Sequence, residues 1–193
     1  MAEQIRRVHI IGGPGSGKTT VAFEIGRRLG VPVYELDMVG YEDGAGERRP
    51  LDSRLADVRD IAAEAGWVAE GVFLGWTDEL LRESDVILWL DVPWRVAAWR
   101  IIRRHLRESL AGTNRHPGVF RLLRFLRIAR RYYSSSSYRP VELDNDGNNS
   151  RAATSSHLEP FADKVIRCAS GEELKRFMRG LATRSRTDIP PEK

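Results

Sequence analysis

Short apolar runs alternate along the chain with longer segments whose apolar residues recur every three or four positions. The short runs predict buried strands, and the longer segments predict helices. The runs are apolar throughout, which is typical of a parallel sheet that helices cover on both sides. Five strands are predicted in this way, at residues 8–11, 31–36, 67–70, 85–91 and 164–168.

Local signals place the ends of several helices. Gly30 and Gly66 follow two helical segments as C-terminal glycines do, and Pro93 suits the first turn of another helix. Ser170 and Glu173 have the spacing of a capping box, which predicts the start of the last helix. The helices are expected at residues 20–29, 52–65 (with residue 52 or 53 as the cap), 77–83, 94–110, 119–133 and from 170 to about 181.

The remaining segments are rich in polar residues and glycine. The second strand is expected to end at Asp37, and the glycine-rich stretch that follows it, residues 40–50, is expected to be a mobile loop. Residues 134–137 and 144–156 have few apolar positions and predict flexible segments. Residues 184–193 predict a disordered tail after one domain that spans residues 1–183.

Length and composition narrow the class of protein. A chain of 193 residues, 41% of them apolar and 30% charged, fits one globular domain with a sizeable core. No apolar run is long enough to span a bilayer, and the first residues lack the apolar centre of a secretory signal. We therefore expect a cytoplasmic protein without a membrane partner, in which the single cysteine, Cys168, is a buried and inert thiol.

Positive charge is concentrated in one segment. The whole chain has a net charge of +4, but residues 95–139 contain twelve arginines and a single acid, Glu108. This segment is either a region that binds anions or a solvated basic surface of helices, and the sequence leaves both open.

A complete GxxxxGK[ST] motif, the Walker A motif, lies between the first predicted strand and the first predicted helix. Its glycines allow backbone N–H groups to point at phosphate oxygens, and the start of the helix adds partial positive charge. Lys18 would contact the β and γ phosphates, and the Thr19 hydroxyl would bind a magnesium ion that bridges them. The sequence therefore predicts a site for ATP and Mg²⁺, formed by Gly12, Gly13, Pro14, Gly15, Ser16, Gly17, Lys18, Thr19 and Thr20.

The loop GGPGSGKT resembles that of adenylate kinases and related small P-loop kinases. Val92-Pro93 followed by Arg100 and Arg104 is similar to the sequence with which those enzymes enter their lid, and residues four apart share a helix face. Over residues 5–181 the chain most resembles an adenylate-kinase-like group often labelled "DNA topology modulation" proteins. The shared features are Leu36-Asp37, a tryptophan before Glu70-Gly71, and arginine-rich lid helices.

The resemblance implies a three-layer α/β/α P-loop NTPase fold with a five-stranded parallel sheet and an arginine-rich helical lid at about residues 94–139. It also implies transfer of the γ-phosphoryl group of ATP to a small-molecule acceptor. Adenylate kinases hold AMP with motifs that are missing after Leu36-Asp37 and after Glu70-Gly71 here, which argues against AMP as the acceptor. An aspartate at the end of the second strand instead resembles nucleoside, shikimate and gluconate-type kinases.

Four further residues are candidates for the chemistry. Asp37 would accept the proton of an acceptor hydroxyl, although an aspartate here could also cap a loop. Glu70 and Asp91 compete as the carboxylate near magnesium, and we favour Glu70 because the related kinases have their acid on the third strand. Arg100 and Arg104 would neutralise charge during phosphoryl transfer.

A second function is compatible with the basic segment. Phe120, Phe125, Tyr132 and Tyr133 are interleaved with its arginines and could stack on bases, although most of them also fit a helix core. The alternative prediction is therefore an ATP-binding protein associated with nucleic acid. The sequence does not predict the acceptor or the oligomeric state.

Overall fold

The structure, a computed structural model, describes residues 5–114, 118–135, 143–144 and 149–186, the last five of these by backbone alone. Five parallel strands form one sheet in the order β2-β3-β1-β4-β5. The strands are β1 (Arg7–Ile11), β2 (Val33–Glu35), β3 (Trp67–Gly71), β4 (Val86–Leu90) and β5 (Val165–Cys168). The helices are α1 (Lys18–Leu29), α2 (Leu36–Gly40), α3 (Leu51–Ala63), α4 (Asp78–Glu83), α5 (Trp94–Leu110), α6 (Val119–Ser134), α7 (Arg151–His157) and α8 (Gly171–Arg186).

Helices cover both faces of the sheet, which confirms the predicted three-layer architecture. Successive strand residues face opposite sides. Ile10 and Leu88 accordingly contribute to an apolar cluster with residues of α1 and α8. Their neighbours Ile11 and Ile87 contribute to a second cluster with residues of α4 and α7. Because both faces are buried, β1 and β4 need the unbroken apolar runs seen in the sequence.

The region after β2 differs from the prediction. The register with β3 ends where Glu35 lies opposite Glu70, and the chain then turns into α2. Asp37 therefore lies in the first turn of a short helix rather than at the end of the strand, and that part of the prediction is wrong. The strand is short because β2 is an edge strand with β3 as its one partner in the sheet.

The expected mobile loop at residues 40–50 has regular hydrogen bonds in the structure. It contains a 3₁₀ turn (Glu42–Gly44) and an antiparallel bridge between Tyr41 and Arg48. The Arg49 N–H donates to the carbonyl of Gly40 at 3.0 Å, which closes the loop at its base. Helix α3 then begins at Leu51, with Pro50 in the capping position, two or three residues before the predicted cap at residue 52 or 53.

The polar segment predicted to be flexible contains α7. Its Ala153 and Thr154 are buried, and the Ala153 N–H donates to the hydroxyl of Ser150 at 3.1 Å, which caps the helix. The prediction was wrong here because small side chains can pack closely against a sheet without contributing a strong apolar signal. Residues 136–137 and 145–148 of the two segments predicted to be flexible lie outside the described residues.

The capping box before the last helix is confirmed. The Glu173 carboxylate accepts the Ser170 N–H at 3.1 Å, and the Glu173 N–H donates to the Ser170 hydroxyl at 3.3 Å. Helix α8 continues to Arg186, beyond the predicted end near Leu181. Positions 187–193 of the predicted tail, and positions 115–117 and 136–139 of the predicted lid, are not among the residues described. Within the described chain, no helix has the length and apolar character needed to cross a membrane.

Candidate phosphate-binding site

The loop that carries the Walker A motif connects the central strand β1 to α1. Gly15 and Gly17 have φ angles of 79° and 95°, which favour glycine and turn the backbone into the helix. The N–H groups of Gly15, Gly17, Lys18 and Thr19 meet no acceptor in the described part of the chain. The Ser16 hydroxyl is also buried there without a partner. This arrangement leaves a row of donors at the N-terminus of a twelve-residue helix, which is typical of a phosphate-binding site.

Helices α5 and α6 hold the outer side of this loop. The carbonyl of Pro14 accepts a hydrogen bond from the Tyr133 hydroxyl at 2.9 Å, and the carbonyl of Ser16 accepts one from Arg100 Nη1 at 2.5 Å. The aromatic ring of Tyr132 lies so close to Gly13 that a Cβ there would be 2.3 Å from Cδ1 of the tyrosine. The loop carbonyls are thus bonded from outside, while the N–H groups stay available on the other side. These roles of the two tyrosines could not be predicted from the sequence, because no local pattern links them to the loop.

Glu70 lies beside the two last residues of the motif. In the parallel pairing of β1 and β3, Glu70 is opposite Ile10, close to where β1 enters the loop. Its carboxylate accepts a hydrogen bond from the Thr19 hydroxyl at 2.5 Å, and its second oxygen is 4.0 Å from Lys18 Nζ. Burial raises the pKa of Glu70, and the nearby Lys18 ammonium and Thr19 hydroxyl counteract that rise.

The pKa of Lys18 is shifted by the charges of three other predicted site residues. Burial lowers the pKa of its ammonium group, whereas the carboxylates of Glu70 and Asp37 raise that pKa. Arg104 lowers it further because it adds a like charge. Asp37, which is exposed at the start of α2, also raises the pKa of Glu70 because it adds a like charge. Lys18 and Glu70 are thus adjacent, and the charges of Asp37 and Arg104 act on Lys18.

Two of the predicted site residues, Arg100 and Thr20, have other environments than Lys18 and Glu70. Arg100 donates to the Ser16 carbonyl, so that its contact in the structure is with the loop backbone. Thr20 is exposed in the first turn of α1, one position beyond Thr19. Gly12 and Gly13 are buried, and Pro14 bears the carbonyl that Tyr133 holds.

Asp91, the competing acid, has a different environment. Its side chain is fully buried, and both of its oxygens accept hydrogen bonds from arginines. Arg151 binds it in a two-pronged manner at 2.6 and 2.8 Å, and Arg167 donates to Oδ2 at 2.8 and 2.5 Å. These bonds engage the oxygens of Asp91, whereas Glu70 contacts the motif itself. Arg151 and Arg167 were not predicted, because the sequence gives no sign that they approach Asp91.

The donor set matches magnesium and a polyphosphate. Mg²⁺ prefers oxygen ligands and usually keeps waters and substrate phosphates in its coordination sphere. The Thr19 hydroxyl and the Glu70 carboxylate are two such oxygens at the edge of the loop. Among the residues that the structure describes, no group of three or more His, Cys, Asp or Glu side chains could hold a metal ion. A magnesium ion here would therefore depend on phosphate oxygens and water for most of its ligands.

No protein-family model matches the chain. The uncharacterized protein YqaC of Bacillus subtilis is 24% identical over 116 residues, which cover 58% of this chain and 65% of YqaC, slightly less than two thirds of its length. The structure is similar to shikimate kinase from Acinetobacter baumannii in complex with shikimate, with a TM-score of 0.53, 13% identity and 97% of each chain covered.

It is also similar to a gluconokinase from Sinorhizobium meliloti 1021, with a TM-score of 0.51, 14% identity, and 95% and 93% of the two chains covered. These likenesses confirm the prediction of a small P-loop kinase fold.

Proposed function

We propose that the chain is an ATP-dependent phosphotransferase that moves the γ-phosphoryl group to a small-molecule acceptor. The observation that carries this proposal is that Glu70 accepts the Thr19 hydroxyl at 2.5 Å and lies 4.0 Å from Lys18 Nζ, next to N–H groups that have no acceptor in the described chain. The charges of Asp37 and Arg104 also act on Lys18. This arrangement combines a phosphate-binding loop with two carboxylates and an arginine, which is the chemistry that phosphoryl transfer needs. A cytoplasmic location, with access to ATP, would suit such an enzyme.

The residues divide into three roles. The loop N–H groups and Lys18 bind the β and γ phosphates, and Arg104 offsets charge that develops on the transferred group. Thr19 and Glu70 hold Mg²⁺, which when bound neutralises charge on the phosphate oxygens. Asp37 accepts the proton of the attacking hydroxyl. Arg100 fixes the loop through the Ser16 carbonyl and keeps further N–H donors for the phosphate.

The acceptor is proposed to be a hydroxyl metabolite. Leu36-Asp37 and Glu70-Gly71-Val72-Phe73 stand where adenylate kinases have their AMP motifs, and Asp37 resembles the acceptor-side acid of shikimate and gluconate-type kinases. The structural similarity to a shikimate kinase and a gluconokinase supports a small acceptor of this kind. We further propose, on Val92-Pro93 and the spacing of Arg100 and Arg104, that the chain falls in the adenylate-kinase-like group described above.

Magnesium-dependent release of ADP from ATP tests the proposal. Separate pools of nucleosides, nucleoside monophosphates, sugars and sugar acids would be assayed, with Lys18→Ala as the blank. One pool should raise turnover well above the rate without acceptor. Lys18→Ala should abolish that increase, because it removes an electrostatic interaction with the phosphate that becomes stronger at the transition state. Turnover by Lys18→Ala close to that of the unaltered chain would refute the mechanism.

One observation favours the second function. Phe120 is 89% exposed, and Phe125 is also exposed, on a helix whose outer side carries arginines. Such residues could stack on the bases of a single strand. Tyr132 is buried and Tyr133 bonds to Pro14, so neither tyrosine fits this role. Binding to single-stranded DNA with a steep salt dependence at moderate ionic strength would support this function, and binding that disappears near physiological salt would contradict it.

A further inference from the structure

A second cluster of arginines lines a cavity that the proposed reaction does not use. We infer that this cavity, beside Asp91, binds the phosphoryl or carboxylate group of a small metabolite. The cavity has a volume of about 270 Å³ and lies between the end of α6, α7 and the strands β4 and β5. The residues that line it and matter for recognition are Trp89, Tyr133, Ser155, Arg151 and Arg167.

The buried carboxylate of Asp91 orients both guanidinium groups. Each arginine uses Nε and Nη2 to bind Asp91, at distances between 2.5 and 2.8 Å. A guanidinium has five N–H donors, and within the described residues Nη1 of Arg151 and of Arg167 donates to no protein acceptor, which leaves both groups for a ligand. Both side chains are about half exposed, at 46% and 53%, which leaves these donors accessible from the cavity.

The charge of the cluster favours an anion. Two arginines face one carboxylate, so the group as a whole carries one excess positive charge. Arg167 is also held by the indole ring of Trp89, with its guanidinium carbon 4.9 Å from the ring centroid. Arginines that are fixed in this way lose little side-chain entropy when they bind a phosphate or carboxylate. The Ser155 hydroxyl, four positions after Arg151 on the same helix, supplies a neutral donor to the cavity lining.

The size of the cavity limits the ligand. Sites for drug-sized molecules usually have volumes of roughly 300–1,000 Å³, and this cavity lies just below that range. It therefore suits a single charged group on a small metabolite and is too small to enclose a nucleotide. A phosphoryl group and a carboxylate group present the same paired oxygens to the arginines. Titration with phosphate and with acetate distinguishes between these two groups.

Tyr133 connects this cavity to the phosphate loop. Its side chain lines the cavity, and its hydroxyl donates to the Pro14 carbonyl at 2.9 Å. A ligand that contacts the Tyr133 ring would therefore affect the hydrogen bond by which Tyr133 holds the loop. The site thus offers a physical route by which an anionic metabolite changes the affinity for ATP.

The test uses inorganic phosphate and acetate as probes and NMR signals of the Nε–H groups of Arg151 and Arg167. Titrations are carried out in the Lys18→Ala chain, because the loss of Lys18 weakens phosphate binding at the Walker A loop. We expect a saturable shift of both arginine signals. Whichever probe binds more tightly identifies the preferred group, and a failure of both to shift the signals would overturn the inference.

A matched pair of variants locates the binding. Ser155 is exposed, so Ser155→Asp and Ser155→Asn should both fold. Ser155→Asp adds a carboxylate to the cavity wall and should weaken binding by roughly tenfold or more, whereas the neutral Ser155→Asn should bind nearly as before. Arg59→Gln removes one positive charge from an exposed site on α3 and should leave binding unchanged. Equal weakening by Ser155→Asp and Arg59→Gln would show a general charge effect and refute the site.

This inference does not depend on the proposed phosphotransfer. The binding experiment is done in a chain that lacks Lys18 and is therefore expected to be inactive. A kinase without this anion site would still show acceptor-dependent release of ADP. An anion site in a protein of another function would still give the arginine shifts.

Discussion

Gly13→Ala should disturb the phosphate loop through steric contact alone. Gly13 does not have a φ in the left-handed region, so an alanine meets no backbone strain there. Its Cβ would, however, lie 2.3 and 2.6 Å from ring carbons of Tyr132 and 2.8 Å from Cζ of Tyr133. All three distances are far below an ordinary van der Waals contact, so either the rings or the loop must move.

The rings have little freedom to move. Tyr132 is buried, and its hydroxyl is within 3.2 Å of the Thr154 hydroxyl, while Tyr133 is bonded to Pro14. Overpacking of this kind costs about 1–3 kcal/mol, and loss of the Tyr133 hydrogen bond adds about 1 kcal/mol. The free energy of unfolding should therefore fall by about 2–4 kcal/mol. Displaced N–H groups should weaken ATP binding roughly 10- to 100-fold.

Urea unfolding and calorimetric titration with ATP measure the two effects. Gly180→Ala is the control, because within the described residues a Cβ at this position in α8 meets no atom within 4 Å apart from the backbone of its own helix. It should stabilise the chain by about 0.5–1 kcal/mol and leave ATP affinity unchanged. Gly13→Ala combined with Tyr132→Leu should be less destabilised than the sum of the single variants, because the leucine removes the ring. Unchanged unfolding and ATP affinity in Gly13→Ala would refute the contact.

Three further predictions concern single residues. Asp37→Asn should lower turnover roughly 100- to 10,000-fold while ATP affinity, measured by titration, is retained; an equal loss of ATP affinity would contradict its acceptor-side role. Glu70→Gln should raise the magnesium concentration needed for half-maximal turnover roughly 10- to 100-fold, and an unchanged magnesium profile would exclude Glu70 from that role. Burial lowers the pKa of His9 from 6.5 to about 4, so the unfolded chain takes up the proton first. As the pH falls from 6.5 to 4, His9 should reduce the free energy of unfolding by about 3 kcal/mol. His9→Leu should not show this decrease. The free energy of unfolding of both chains is measured by urea unfolding across this pH range, and the same pH dependence in both would contradict the prediction.

The parts of the fold that local sequence determines were predicted well. The Walker A motif, the central strands and the capping box at Ser170 and Glu173 each depend on residues that are close together in the chain. The position of Asp37 was predicted less well, because the length of an edge strand depends on its pairing partner. Contacts between distant side chains could not be predicted. The hydrogen bond from Tyr133 to Pro14 joins residues 119 positions apart, and no periodic pattern in the sequence predicts it.

The supports of the phosphate loop have a consequence for synthesis on the ribosome. The motif is complete at Thr19, but the side chains that hold its carbonyls come 84 and 119 positions after the residues they bond. A nascent chain that has emerged only through β4 therefore contains the whole motif and the strands beside β1, but neither Arg100 nor Tyr133. Fragments that end before Arg100 would contain the Walker A motif without the two side chains that hold its carbonyls. ATP is therefore expected to stabilise a nascent chain fully only after synthesis has passed Tyr133, because a ligand stabilises only the form that binds it.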